Sequence, residues 1–139
     1  MRAQVLRPDQ VHDYWPRLSA LLARSVNRSE WELEVEDIPK LVDERKMFIS
    51  AVFDDRDCLC AAVALEILTC PRMRILQVTH VGGQNAFLSG SLFSHLEDLA
   101  KALKCDTIQG FCRPAAARLF ARVFGLKPVY TVLRREVDL

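Results

Sequence analysis

Residues 110–135 read GFCRPAAARLFARVFGLKPVYTVLRR, and the fold turns on how this run divides. Pro114 has no N–H to satisfy and a φ preset near the helical value, so it opens a helix well. Leu119, Phe120, Val123 and Phe124 then recur at three- and four-residue spacing on one side. Gly125 stands where a helix ends in a left-handed residue. Residues 129–137, rich in β-branched side chains, read as a final strand, and residues 106–112 read as a short strand before the helix. The closing unit is therefore strand, helix, glycine, strand.

Working outward, Leu88, Leu92, Leu96, Leu99 and Leu103 recur at helical spacing with Glu97, Asp98, Lys101 and Lys104 between them. That is an amphipathic helix, with Ser89 or Ser91 as its cap. Three strands precede it. Residues 46–53 end at the charged turn Asp54-Asp55-Arg56-Asp57, and residues 58–68 are apolar apart from Glu66, as in a strand covered on both faces. Residues 74–81 follow the turn Cys70-Pro71-Arg72 and stop at Gly82-Gly83. Two short turns joining three strands imply an antiparallel meander. Nearer the start, residues 3–6 form a strand, and Asp9 caps a helix carrying Val11, Tyr14, Trp15, Leu18, Leu21 and Leu22, which Pro16 kinks or splits. Polar residues 27–30 make a loop. Residues 31–45 are a second, acidic helical region, with Pro39 near the start of its better half. The class is α/β: one domain over residues 1–139, with a mixed central sheet in the order β-α-α-β-β-β-α-β-α-β and helices on both faces.

Composition sets the bounds. A chain of 139 residues, 50% apolar and 27% charged, suits one globular domain and argues against disorder. Nineteen basic and eighteen acidic side chains leave +1, so no bulk charge steers the protein to nucleic acid or to a membrane surface. Fourteen of the basic residues are arginine, the side chain best suited to carboxylate and phosphate contacts. The longest run without Asp, Glu, Lys or Arg, residues 75–96, contains too many polar residues to span a bilayer. The N-terminus lacks a signal-peptide apolar core, which places the expected location in the cytoplasm. Five scattered cysteines (Cys58, Cys60, Cys70, Cys105, Cys112) show no CxxC pair or zinc spacing, and are expected to be buried, reduced thiols with no metal.

The order of elements resembles the GCN5-related N-acetyltransferase fold. Residues 110–135 resemble that family's closing segment, in which Asn-x-x-Ala-x-x-Leu-Tyr-x-x-x-Gly-Phe is common; Ala117, Phe120, Gly125 and Leu126 occupy matching positions. A narrower likeness, carried by Val81-Gly82-Gly83, Lys104-Cys105-Asp106, Arg113 and the 118–125 helix, is to small acetyltransferase-like proteins of tailed bacteriophages.

The resemblance implies acetyl-coenzyme A or coenzyme A as cofactor, with its pyrophosphate at the N-terminus of the helix after the fourth strand. The family's loop there, Arg/Gln-x-x-Gly-x-Gly/Ala, has no matching register in this chain. Val81, Gly82, Gly83, Gln84, Asn85, Ser89, Gly90 and Ser91 are the candidate cofactor-binding residues around it. Ala121 and Pro114 replace the family's proton-donating Tyr and helix-opening Asn; Tyr130 and Cys112 are the nearest substitutes. His80, with an unperturbed pKa near 6.5, is the first candidate base. Glu66, a carboxylate inside an apolar strand, is the second. Cys112 with His80 or His95 would make a thiol nucleophile, without a third orienting group. Arg113, Arg118 and Arg122, with Arg134 and Arg135, are candidates to meet an acidic protein surface or a coenzyme A phosphate.

Two functions follow. The preferred expectation is an acetyltransferase-like protein with degenerate motifs, non-catalytic or weakly catalytic, that binds a protein partner as a phage virion or assembly component. In that case it is expected in the host cytoplasm or the virion. The alternative is an active N-acetyltransferase moving an acetyl group to an amine, with His80 or Glu66 as base and Tyr130 or solvent as acid.

Overall fold

A computed structural model describes residues 2–28, 32–83 and 90–138. The strands β1 (Arg2–Val5), β2 (Phe48–Phe53), β3 (Leu59–Cys70), β4 (Met73–Gly83) and β5 (Thr107–Gly110) form one sheet in sequence order. Successive pairs are antiparallel from β1 to β4, as the two short turns require, and β5 joins β4 in parallel after a helical crossover. The helices are α1 (Pro8–Asp13), α2 (Trp15–Asn27), α3 (Ile38–Asp43), α4 (Gly90–Ala102) and α5 (Pro114–Phe124), with a 3-10 turn at Val35–Asp37. The α/β class and mixed sheet match the expectation.

Alternation along the strands builds two cores. Ile49, Ala51, Phe53, Ala62 and Ala64 point to the face covered by Val11, Leu18, Leu22 and Ile38 of the first three helices. Val63, Leu65 and Leu76 point to the other, where Leu92, Leu96 and Ala100 of α4 lie. Alanines at four β2 and β3 positions keep the sheet surface low beneath the helices. The apolar run of β3 is buried on both sides because it feeds both cores.

Pro16 splits the first helix in two. It cannot donate to the preceding turn, so the α1 ladder ends and Tyr14 restarts it, its carbonyl accepting from Arg17 and Leu18 at 3.1 and 3.0 Å. Several boundaries move. Arg7, not Asp9, is the N-cap of α1, and Asp9 lies in the first turn. Ser91 lies inside α4, which already begins at Gly90; Ser89 and Trp31 fall outside the described residues. Cys58, Cys70 and Cys112 are exposed and Cys60 and Cys105 half-buried, so the thiols are free but not core residues, correcting that expectation. Cys60 and Cys105 pack against the edge of the α4-side core, while Cys58, Cys70 and Cys112 sit at turns and strand ends.

The final strand expected over 129–137 is absent: residues 125–138 carry no regular secondary structure. Strand propensity is present, but a strand needs a neighbour, and here none lies alongside.

At the end of α5 the expectation holds. Gly125 adopts φ 67° and ψ 21°, turning the amides of Gly125 and Leu126 back to the carbonyls of Ala121 and Phe120. A Cβ there would touch nothing, so Gly125→Val isolates the backbone cost. A β-branched residue in the left-handed region is strained by about 1–2 kcal/mol. A fall in unfolding midpoint of that size is expected in a denaturant titration; an unchanged midpoint would count against the cap.

Candidate active site

β4 and β5 run side by side only from Ile75↔Thr107 to Val78↔Gly110. β4 then continues to Gly83, while the other chain leaves through Phe111, Cys112 and Arg113 into α5. The two part at the carboxyl ends of parallel strands, the place where open α/β sheets bind ligands.

A β-bulge lies on β4 just past that point. Ala64 pairs with His80 but Leu65 pairs with Val78, leaving Thr79 as the extra residue of β4. The Thr79 hydroxyl donates to the carbonyl of Ala64 at 3.0 Å. Because of the extra residue, Gln77 and His80 share the face that carries α2, although three positions separate them.

His80 lies half-buried just beyond the point where β5 has left. Its Nδ1 is 3.1 Å from Ser25 Oγ on α2. In the tautomer whose Nδ1–H donates to Ser25, Nε2 keeps a lone pair for a substrate proton. Burial holds the imidazole pKa below 6.5, against a smaller opposing pull from the Glu32 carboxylate, so His80 is neutral at pH 7.

Glu66 is engaged elsewhere. Its carboxylate accepts from Gln77 Nε2 at 2.6 Å, and Gln77 Oε1 accepts from Gln109 Nε2 at 2.8 Å, so a polar row crosses β3, β4 and β5. The row satisfies buried Gln77 and ties the short β5 to the sheet. Tyr130 is 90% exposed in the segment after α5.

The glycines have different work from the one expected of them. A Cβ on Gly82 would lie 1.8 Å from the carbonyl oxygen of Leu21, so α2 itself occupies the space a cofactor would need there. Gly83, at φ 125°, presses on Cys60 and Ala61. Val81 faces the α4 core. Gln84, Asn85 and Ser89 lie outside the described residues. At Gly90 a Cβ would meet nothing, and the first turn of α4 from Gly90 to Ser91 is exposed. Its amides and the positive end of the helix dipole suit an anionic group such as a pyrophosphate, whereas α2 backbone fills the space beside Gly82.

Beside this helix start lies a cavity of about 480 Å³ lined by Arg2, Ala3, Ser91, His95 and Asp98. His95 Nε2 is 2.6 Å from Ser50 Oγ, whose residue is fully buried. Burial lowers the His95 pKa against the opposing Asp98 charge. The only sequence signal for this pair was a histidine flanking the leucine stripe of α4. Neither His80 nor His95 bonds to Cys112, and burial pushes the Cys112 thiol up, so it is protonated and no nucleophile.

The arginines are engaged in different ways. Arg113 Nη2 donates to the carbonyl of Arg28 at 3.0 Å, joining the start of α5 to the end of α2. Arg118 and Arg122 are exposed on α5, and Arg134 pairs with Glu32 at 2.6 Å. Among the described residues no cluster of three His, Cys, Asp or Glu could hold a metal, and no helix is long and apolar enough to cross a membrane.

No protein-family model and no curated protein matches the chain. Solved structures do. A probable acetyltransferase superposes with a TM-score of 0.73 at 12% identity, over 100% of this chain and 98% of the other. The fold is that of the GCN5-related N-acetyltransferases. A ribosomal-protein-alanine N-acetyltransferase from Brucella melitensis biovar Abortus 2308 shares this acetyltransferase fold with a TM-score of 0.71 and 16% identity, over 98% and 100% of the two chains. An aminoglycoside 6′-N-acetyltransferase from Acinetobacter baumannii gives 0.68 and 13%, over 99% and 98%.

Proposed function

We propose that this protein is an acetyl-coenzyme A-dependent N-acyltransferase in which His80 takes the proton of the acceptor amine. The observation that carries the reading is a Ser25-bonded imidazole, its pKa lowered by burial, on the bulged stretch of β4 just past the point where β5 leaves it. Acetyl-coenzyme A, when bound, supplies the activated acyl group. Gly90 and Ser91 at the start of α4 would hold its pyrophosphate. His80 Nε2 accepts the ammonium proton and so frees the nitrogen lone pair. As the carbon–nitrogen bond forms and the carbon–sulfur bond breaks, the leaving sulfur needs a proton. Cys112, protonated and sited where β5 hands over to α5, supports a proton source in the chain; solvent is the other.

A non-catalytic protein-binding module is the second reading, favoured by one observation: Ala121 offers only a methyl group where the family's acid stands. Its partner would be an acidic protein surface met by Arg118 and Arg122. The solved neighbours lend no support to the phage virion role.

Titration with acetyl-coenzyme A and with coenzyme A separates the readings. Saturable binding in the micromolar range, with a melting temperature that rises as ligand passes its dissociation constant, is the expected result. No heat and no shift at millimolar ligand would overturn the transferase and leave the module.

A further inference from the structure

Each face of the sheet carries a serine–histidine pair. On the α2 side Ser25 fixes His80; on the α4 side Ser50 Oγ lies 2.6 Å from His95 Nε2. The second pair takes no part in the proposed reaction, because Ser50 pairs with Val63 on the α4 face and the sheet stands between it and His80. Ser50 is also fully buried, on a strand whose neighbouring positions feed the cores with apolar side chains. A buried hydroxyl needs a partner. The partner here is a ring held in one position in the wall of the cavity of about 480 Å³.

That cavity lies between α4 and the β1–β2 pair. Ala3 and Val52, opposite each other on the two strands, give it an apolar side, and Ser91, His95 and Asp98 follow at helical spacing along α4. The Arg2 guanidinium is committed elsewhere: it bonds Asp57 and Gln4 and lies 4.4 Å from the centroid of the Phe53 ring, which belongs to the other core. Among the described residues no ion pair engages Asp98. The cavity therefore offers a carboxylate, hydroxyls and an imidazole, and no uncommitted cation. Asp98 stands two turns beyond Gly90, about 12 Å along the helix, so its charge is clear of the anion site at the helix start.

We propose that this cavity is a second binding site, for a small organic ammonium whose charged head meets Asp98 and His95 and whose apolar body lies against Ala3 and Val52. In the tautomer whose Nε2–H donates to Ser50, Nδ1 keeps a lone pair for an N–H of the ammonium. An anion would meet the Asp98 charge with no cation to answer it. An uncharged ligand would desolvate that carboxylate without pairing it. An organic cation satisfies the carboxylate and the apolar side together, and the volume is of the size that holds small molecules.

Proton NMR of the full chain tests it, with benzylamine as the probe and benzyl alcohol as its uncharged counterpart. The chain has three histidines, so the ring signals of His12, His80 and His95 can be told apart by substitution. Benzylamine is expected to move the His95 signals saturably, and benzyl alcohol to bind there at least about tenfold more weakly. Movement at His80 reports the acceptor site and is read separately. Asp98→Asn should weaken benzylamine at His95 by the same factor; Asp98 is exposed, so the fold is expected to hold. If that variant fails to fold, the two probes on the unmodified chain still decide. No movement of His95 at about 50 mM benzylamine, movement of His80 alone, or equal affinity for the two probes overturns the proposal. So does an Asp98→Asn variant that binds benzylamine as tightly as before.

Discussion

Adding a single methyl group at Gly82 is expected to cost this protein about 3 kcal/mol or more of stability. The new Cβ would sit 1.8 Å from the carbonyl oxygen of Leu21 and 2.4 Å from its carbonyl carbon. Both atoms are α2 backbone and cannot swing aside, so the whole helix must lift. Lifting it unpacks Leu18 and Leu22, two fully buried anchors of the larger core. Overpacking a tight site commonly costs about 1–3 kcal/mol, and a rigid backbone neighbour puts this one at or beyond the upper end. Gly90→Ala is the control, because its Cβ would meet nothing; a change within about 0.5 kcal/mol is expected. Equal midpoints for the two variants in urea would show that α2 does not rest on β4 as described.

Replacing His80 should abolish acyl transfer without dislodging the cofactor. His80→Gln keeps a polar side chain near Ser25 but cannot take a proton at neutral pH. A rate loss of about 10²- to 10⁴-fold is expected, with the coenzyme A dissociation constant unchanged. Direction in pH follows from the burial that depresses the imidazole pKa. The base works while neutral, so the acid limb of kcat should fall below 6.5, where an ordinary solvent-exposed histidine would already be half protonated. Full activity in the glutamine variant, or an acid limb above 6.5, would remove His80 from the reaction.

The fold was legible wherever its signal is local. Pro16 stops a ladder by itself, and Pro114 and Gly125 bracket α5 through their own dihedral preferences. The leucine period of α4 depends on one turn meeting the next. What spans the chain was not legible. Ser25 and His80 are 55 positions apart, Ser50 and His95 45, and no spacing rule links them. Glu66 was marked as a carboxylate in need of a partner, but the sequence could not say that Gln77 would supply it. Gly82 looked like a chain-turning residue, yet its small size serves helix contact. The segment after Gly125 has strand-forming residues, and only a neighbour could have made it a strand.

The one-residue insertion at Thr79 has a consequence for how such a sheet gains chemistry. Under strict alternation position 80 would face the leucines of α4; the extra residue turns it instead to the side that already carries the Glu66–Gln77–Gln109 row. A single residue of slack changes the parity of everything downstream on the strand. A bulge of this kind lets side chains an odd number of positions apart on one strand, here Gln77 and His80, serve the same side of a sheet without disturbing the strands beyond it.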